Sequence, residues 1–263
     1  MLEQFRQAME HRNLAAGTIH KRMSEVRAWL AYLDKVGVEW TAAHDGHLEE
    51  WLDGRPLGAR ARTASISHLH MFYAWAMRKR LAGHDPTVLT ERPRLPKRLP
   101  RPIPEVSVDI ALSAATGHVR TMVALMAWAG LRCCEVARLE WSDVDLAAGT
   151  LHIVGKGSSE RVIGISSLLR AELAALDGTS GLIVGRAYTP CRVSQIVNAH
   201  LRACGIERHT AHAFRHRKLT RLCEQTRDLL AVQMYAGHAS VATTQVYVKV
   251  AAARLQALSD IVD

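Results

Sequence analysis

Residues 92–104 read RPRLPKRLPRPIP. Five prolines forbid a helix here and hold the backbone extended, so the chain must divide at this point. The same stretch carries five Arg or Lys and no acid, namely Arg92, Arg94, Lys97, Arg98 and Arg101. With its flanks, about residues 85–104, it spans up to ~60 Å at ~3.3 Å per residue, more than the width of a nucleic-acid duplex. It reads as a basic proline-rich linker between domains over 1–84 and 105–263.

Upstream of the linker the pattern is helical throughout. Apolar residues recur at Ile19, Met23, Val26, Leu30 and Leu33, the 3.6-residue period, with Thr18 as the expected N-cap and Gly37 as the stop. Helices are also expected over 2–12, 41–53 and 58–82, and their aromatic residues are assigned to the core. Downstream the pattern is mixed. Helices are expected over 105–115, 118–129, 132–139, 166–175, 190–203, 210–225 and 227–236. Between them, Thr150–Val154 and Arg161–Ile165 alternate and are expected to pair as a hairpin. The fold class is therefore mainly α with a small β-sheet, an α+β chain of two domains.

Composition narrows the class of partner. The 263 residues carry a formal net charge of +9 and a pI near 9.7, which favours a polyanion. Residues 1–100 hold 16 basic and 11 acidic side chains and residues 101–263 hold 18 and 14, so both parts are basic. No apolar run reaches the roughly 18 residues of a membrane span. The N-terminal MLEQFRQAMEHRNL is helix-like and carries acids, unlike a signal peptide. Five cysteines without CxxC spacing fit reduced thiols in a cytoplasmic protein.

Four segments of the second domain hold polar groups that packing does not require. Arg132 follows Gly130 with Glu135 three residues on; Lys156 sits at the tip of the expected hairpin; His212, Arg215 and His216 lie within HTAHAFRHRKLTR; and His238 stands nine residues before Tyr247 in GHASVATTQVY. Each has a plain structural explanation alone. Arg132 can pair with Glu135 across one helical turn, Lys156 can be a solvated tip, and Tyr247 can be a core tyrosine with a wet hydroxyl.

Together, in this order, the four segments resemble the tyrosine recombinases, or phage integrase family. Gly130-Leu131-Arg132 with Glu135 and Leu139 is similar to that family's first box. Gly155-Lys156-Gly157 with Glu160-Arg161-Val162 is similar to its lysine-bearing hairpin. His212-Ala213-Phe214-Arg215-His216 matches its His-x-x-Arg element, and Gly237-His238 with Thr243, Thr244 and Tyr247 matches its closing box. The resemblance covers the second domain and, more loosely, the helical first domain, which it implies is the core-binding domain that grips DNA.

The resemblance implies a reaction. Tyr247 attacks a DNA phosphodiester and forms a 3′-phosphotyrosyl bond. A phenol with a pKa near ~10 is a weak nucleophile until its proton is taken or its charge stabilised. Arg132, Arg215 and His238 counter the charge on the phosphate oxygens, Lys156 protonates the leaving 5′-oxygen, and His212 assists proton transfer at Tyr247. Glu135 and His216 support the set. No cofactor and no metal is implied. The implied partners are double-stranded crossover sites bound by a homotetramer that is monomeric when free. An accessory directionality protein is a further candidate, and the implied setting is the cytoplasm at the nucleoid. Arg92, Arg94, Lys97, Arg98, Arg101, Arg217 and Lys218 are candidate phosphate contacts.

The match has departures. Arg217 and Lys218 follow His216 where the family has small or apolar residues, and either phosphate contact or a solvated helix face fits them. Tyr235-Ala236 replaces two leucines before Gly237, and Tyr235 is read as core. The chain begins at the first core-binding helix, so no arm-binding domain is expected, which leans toward a small phage-type integrase. Residues 248–263 are expected to form a helical tail that docks on a neighbouring subunit. A type IB topoisomerase-like enzyme and an inactive DNA-binding regulator are the competing readings. A metal site from His209, His212, His216 and His238 is disfavoured because no acid accompanies them in a metalloprotease pattern.

Overall fold

The computed structural model describes residues 1–95, 101–155, 160–176 and 178–237. Contacts divide the chain into two units, Met1–Lys97 and Arg98–Asp263.

The first unit is all helical: α1 Leu2–His11, α2 Ala16–Lys35, α3 Asp45–Asp53 and α4 Ala59–Arg78. Its core is aromatic. Trp29, Phe72 and Tyr73 are buried, Phe5 meets Phe72 edge-on at 5.3 Å, and Trp29 meets Trp51 at 5.2 Å. One polar thread crosses this core with every step satisfied. The Trp29 indole N–H donates to the Tyr73 hydroxyl at 3.0 Å, which donates to the Trp40 carbonyl at 2.9 Å. Three boundaries differ from expectation. α3 begins at Asp45 rather than at residue 41, because the extended His44 caps it by accepting the Gly46 N–H. α2 begins before Thr18, because Asn13 takes a left-handed conformation and Ala15 is extended, which frees the helix to start at Ala16. α4 ends at Arg78 rather than near residue 82. Arg80, at φ 56°, turns the chain so that Leu81 N–H returns to the Ala76 carbonyl at 2.8 Å and Arg80 N–H to Met77 at 2.9 Å.

The second unit comprises α5 Glu105–Ala114, α6 Gly117–Trp128, α7 Cys133–Val136, β1 Val144–Asp145, β2 Thr150–Val154, β3 Glu160–Gly164, α8 Ser167–Ala174, α9 Pro190–Ala203, α10 Ala211–Thr226 and α11 Leu229–Ala236. Residues Thr121 to Ala127 are all buried, so α6 is an interior helix, and α5, α7, α8, α9 and α10 pack around it. The three strands are antiparallel in the order β1-β2-β3, with Thr150 opposite Gly164 and Val154 opposite Glu160. The second strand of the hairpin thus starts one residue earlier than the alternation predicts, and the two-residue β1 adds an edge. Leu151, Ile153 and Ile163 turn inward. Among the described residues, no helix is long and apolar enough to cross a membrane.

Candidate active site

Two structural devices bring the polar groups of the second unit together. The first is the end of α6. Gly130 adopts φ +67°, which side chains rarely adopt, and a Cβ there would press on Lys218, 3.1 Å from its Cγ. Glycine therefore lets α10 pack close and presents its own carbonyl to Arg215. The second is the start of α10. Thr210 gives no side-chain cap; Asn198 of α9 takes that role, accepting the Ala211 N–H at 2.8 Å. This fixes the turn that carries His212.

Glu135 is the centre of the constellation. Its side chain is 1% exposed. Its carboxylate accepts from the Arg132 backbone N–H at 2.8 Å, from Arg132 Nη1 at 2.8 Å and from Arg161 Nη1 at 2.9 Å, with Arg215 Nη1 at 3.9 Å. Burial pushes the carboxyl upward, but the Arg161 hydrogen bond, the Arg132 N–H and the charges of Arg161 and Arg215 outweigh it and hold Glu135 below its ordinary value. One carboxylate thus faces three guanidiniums, so the cluster is formally cationic.

The same arginines grip the end of α11. Arg161 Nε donates to the Tyr235 carbonyl at 2.9 Å, Arg215 Nη2 to Ala236 at 2.5 Å, and Arg132 Nη2 to Gly237 at 3.4 Å. The last carbonyls of a helix lack intrahelical partners and carry its negative dipole end, so three consecutive ones attract cations. Arg215 is 2% exposed and also donates to the Gly130 carbonyl at 2.8 Å. Arg132 keeps 30% of its side chain open, the most accessible of the three. Gly237 ends α11 at φ +58°.

His212 and His216 stand one helical turn apart, their rings 4.5 Å between centroids and edge-on. His216 is partly buried, and burial, then His212 and Arg215, push its imidazole down to about 4. His212 is lowered by burial first and then by the charges of Arg215 and Arg132, although it lies at the surface where solvent weakens all three effects. Both shifts favour the neutral imidazole.

The structure brings together Arg132, Glu135, His212, Arg215 and His216. Lys156, His238, Tyr247, Lys97 and Arg98 lie outside the described residues. Arg92, Arg94 and Arg101 are exposed. Arg217 is not the solvated helix face that was one expectation for it. Its side chain is 11% exposed, Nε donates to Glu105 Oε1 at 2.8 Å, Nη2 binds the other Glu105 oxygen, and Nη1 donates to the Ala127 carbonyl at 3.1 Å. The physical reason is the acid in the first turn of α5, which Arg217 and Arg221 of α10 both reach. Lys218 is likewise turned inward, its ammonium 5.8 Å over the Tyr235 ring and its pKa lowered by burial and by Arg217 and Arg221. Tyr235 packs against the core, donates its hydroxyl to the Ala129 carbonyl at 3.1 Å and is pushed up to about 12 by burial.

Sequence reading gave Arg161 no role. A signal was present: in β3, residues 161 and 163 share a face, and Ile163 is buried. An arginine on the inward face of a strand needs a buried acceptor. Among the described residues, no three His, Cys, Asp or Glu side chains are placed to hold a metal ion.

Comparison with known proteins bears on the whole chain. The phage integrase family pattern matches residues 108–254, and the phage integrase N-terminal SAM-like domain matches residues 2–80. A curated relative from Yersinia pestis, tyrosine recombinase XerD, is 30% identical over 98% of this chain and 95% of its own. Among solved structures, a lambda integrase tetramer bound to a Holliday junction aligns with a TM-score of 0.74 at 18% identity, over 94% of this chain and 75% of its own. XerH recombinase bound to palindromic difH, a post-cleavage complex, aligns at 0.70 with 19% identity, over 99% and 84%. At these identities the two solved structures establish the shared fold.

Proposed function

The chain belongs to the phage integrase family, and from that premise we propose how its residues divide the work. The protein is a tyrosine-type site-specific DNA recombinase that cleaves and rejoins DNA strands. The observation that carries the assignment of roles is the gathering of Arg132, Arg161 and Arg215 round the buried Glu135 carboxylate.

In the proposed reaction, the Tyr247 hydroxyl oxygen forms a bond to a backbone phosphorus while the bond from phosphorus to the 5′-oxygen breaks. The phenolic proton passes toward His212. Lys156 gives a proton to the leaving 5′-oxygen. Charge spread over the phosphate oxygens is met by the forks of Arg132 and Arg215 and by His238. Protein acceptors hold both guanidiniums before DNA arrives, so little reorganisation is needed in the reaction itself. Energy is kept in the phosphotyrosyl ester, and the 5′-hydroxyl of a second strand reverses the step. The arginines supply the charge that bound cations supply in metal-dependent phosphoryl transfer.

Residues 1–84 act as the core-binding domain, 85–104 as the basic linker and 105–263 as the catalytic domain. Arg92, Arg94, Lys97, Arg98 and Arg101 contact phosphates, which predicts steep salt dependence. The working form is a tetramer on paired sites, a reading supported by the lambda integrase tetramer bound to a Holliday junction, and residues 248–263 dock between its subunits. The setting is the cytoplasm.

The test uses duplexes selected from a random pool by binding to the protein. Nicked versions are expected to trap a covalent complex with chelator present, and paired sites are expected to exchange strands. Relaxation of plasmids that lack the selected site, without exchange, would instead assign a topoisomerase. Binding without cleavage would assign a regulator.

A further inference from the structure

The three arginines on Glu135 and α11 are not equivalent. Arg132 keeps an open edge, and Arg215 reaches from α10 to the ends of both α6 and α11. Arg161 is different. It comes from the strand that follows Lys156, its side chain is 10% exposed, and its Nε and Nη1 are both engaged with protein acceptors. It also fills the space a side chain at Gly237 would need, with Nη1 at 3.1 Å and Cδ at 3.2 Å from that position. Gly237 is the residue before His238.

We propose that Arg161 is a positioning residue for strand cleavage: it ties β3 to the Glu135 carboxylate and to the C-terminal end of α11, and so sets the placement of Arg132, Arg215 and the chain entering the closing box. It does not touch the phosphate. Without it, Glu135 loses one of the two guanidiniums hydrogen-bonded to it and the Tyr235 carbonyl loses its donor. Both acceptors would then compete for Arg132 and Arg215. Misplacement of phosphate-binding groups by about 1 Å is enough to cost ~100-fold in rate. This inference rests on the recombinase reading above.

The experiment compares Arg161→Met and Arg161→Lys with the wild-type protein on the selected DNA. Two substrates are used: the ordinary phosphodiester, and one with a methylphosphonate at the scissile position. The methyl group replaces a non-bridging oxygen and removes its charge, so guanidinium placement matters less. Cleavage is read as the rate of covalent complex formation per DNA-bound protein at saturating DNA. Arg161→Met is expected to lose roughly tenfold to a hundredfold on the phosphodiester and less than about threefold on the methylphosphonate. Arg161→Lys keeps a charge for Glu135 but lacks the second donor arm, and is expected to lose roughly threefold to tenfold on the phosphodiester alone. Should the Met variant fail to bind DNA, the Lys variant is read by the same ratio. Equal losses on both substrates would indicate general structural damage and overturn the proposal, as would no loss on the phosphodiester. On the phosphodiester, Glu135→Gln and Arg161→Met are expected to be non-additive, the double variant slower than the worse single by no more than about threefold; additive losses count against the proposal. Wild-type protein that cleaves neither substrate overturns the recombinase reading itself.

Discussion

The two units bury opposite kinds of chemistry. The first buries aromatic rings, and the polar thread through that aromatic core, Trp29 to Tyr73 to Trp40, runs between neutral groups, while its Asp85 and Glu25 carboxylates pair with His70 and Arg55 outside the core. The second buries Glu135 and Arg215, at 3% and 2% exposure, although charges resist desolvation unless paired and hydrogen-bonded. Neutral packing is enough where the task is to be a stable platform. A buried cation cluster contributes little net stability, and its value lies in holding guanidiniums still for an anion. On the proposed roles, the first unit keeps neutral groups in its core, and the second commits buried charge to a site that receives a phosphate.

Several substitutions would break or sharpen this contrast. Phe72→Ala is expected to cost about 3–5 kcal/mol of stability in the first unit, as for a large-to-small core change. Trp29, Trp40, Trp51 and Trp75 all lie there, so urea unfolding followed by tryptophan fluorescence reads it. Arg215→Met should instead show its main loss in cleavage. A fall of about 10²–10³ in the rate at saturating DNA is expected, measured with nicked substrates. If Phe72→Ala lowered the rate of fully folded, DNA-bound protein as much as Arg215→Met does, the contrast would fail. Tyr73→Phe leaves the Trp29 N–H without its acceptor and is expected to destabilise by about 1–3 kcal/mol, read by the same unfolding curves.

The smallest effect is on pH dependence. His216 is held down to about 4 in the folded chain against 6.5 as its ordinary value. The unfolded chain therefore takes up this proton first as pH falls. The associated stability is present in full above about 6.5 and is lost as pH falls toward 4. Urea titrations across that window should give a shallower slope for His216→Gln than for the wild-type protein.

Much of the architecture was legible because its signals are local. The 3.6-residue period located the helices of the first unit, and the proline run located the division. Boundaries failed where a residue other than glycine makes the turn: Arg80 turns the chain after α4, and nothing in an arginine signals a left-handed conformation. The order of Arg132, His212 and Arg215 was readable as a motif, but their common centre was not. Glu135 was expected to support Arg132; that it also holds Arg161 depends on how β3 and α11 dock, a contact between residues 26 positions apart in the chain. The pairing of Arg217 was hidden for the same kind of reason, since its partner Glu105 lies 112 residues away.

The central claim is that Tyr247 is the nucleophile in a site prearranged by buried guanidiniums. Tyr235 is the obvious rival in sequence, yet its hydroxyl is engaged with the Ala129 carbonyl and pushed up to about 12. The most direct measurement is to trap the protein on a nicked, selected duplex, digest it and identify the tyrosine joined to DNA. The account predicts a DNA-linked peptide containing Tyr247 and none from Tyr247→Phe. A DNA-linked peptide containing Tyr235, or an undiminished adduct in Tyr247→Phe, would contradict it.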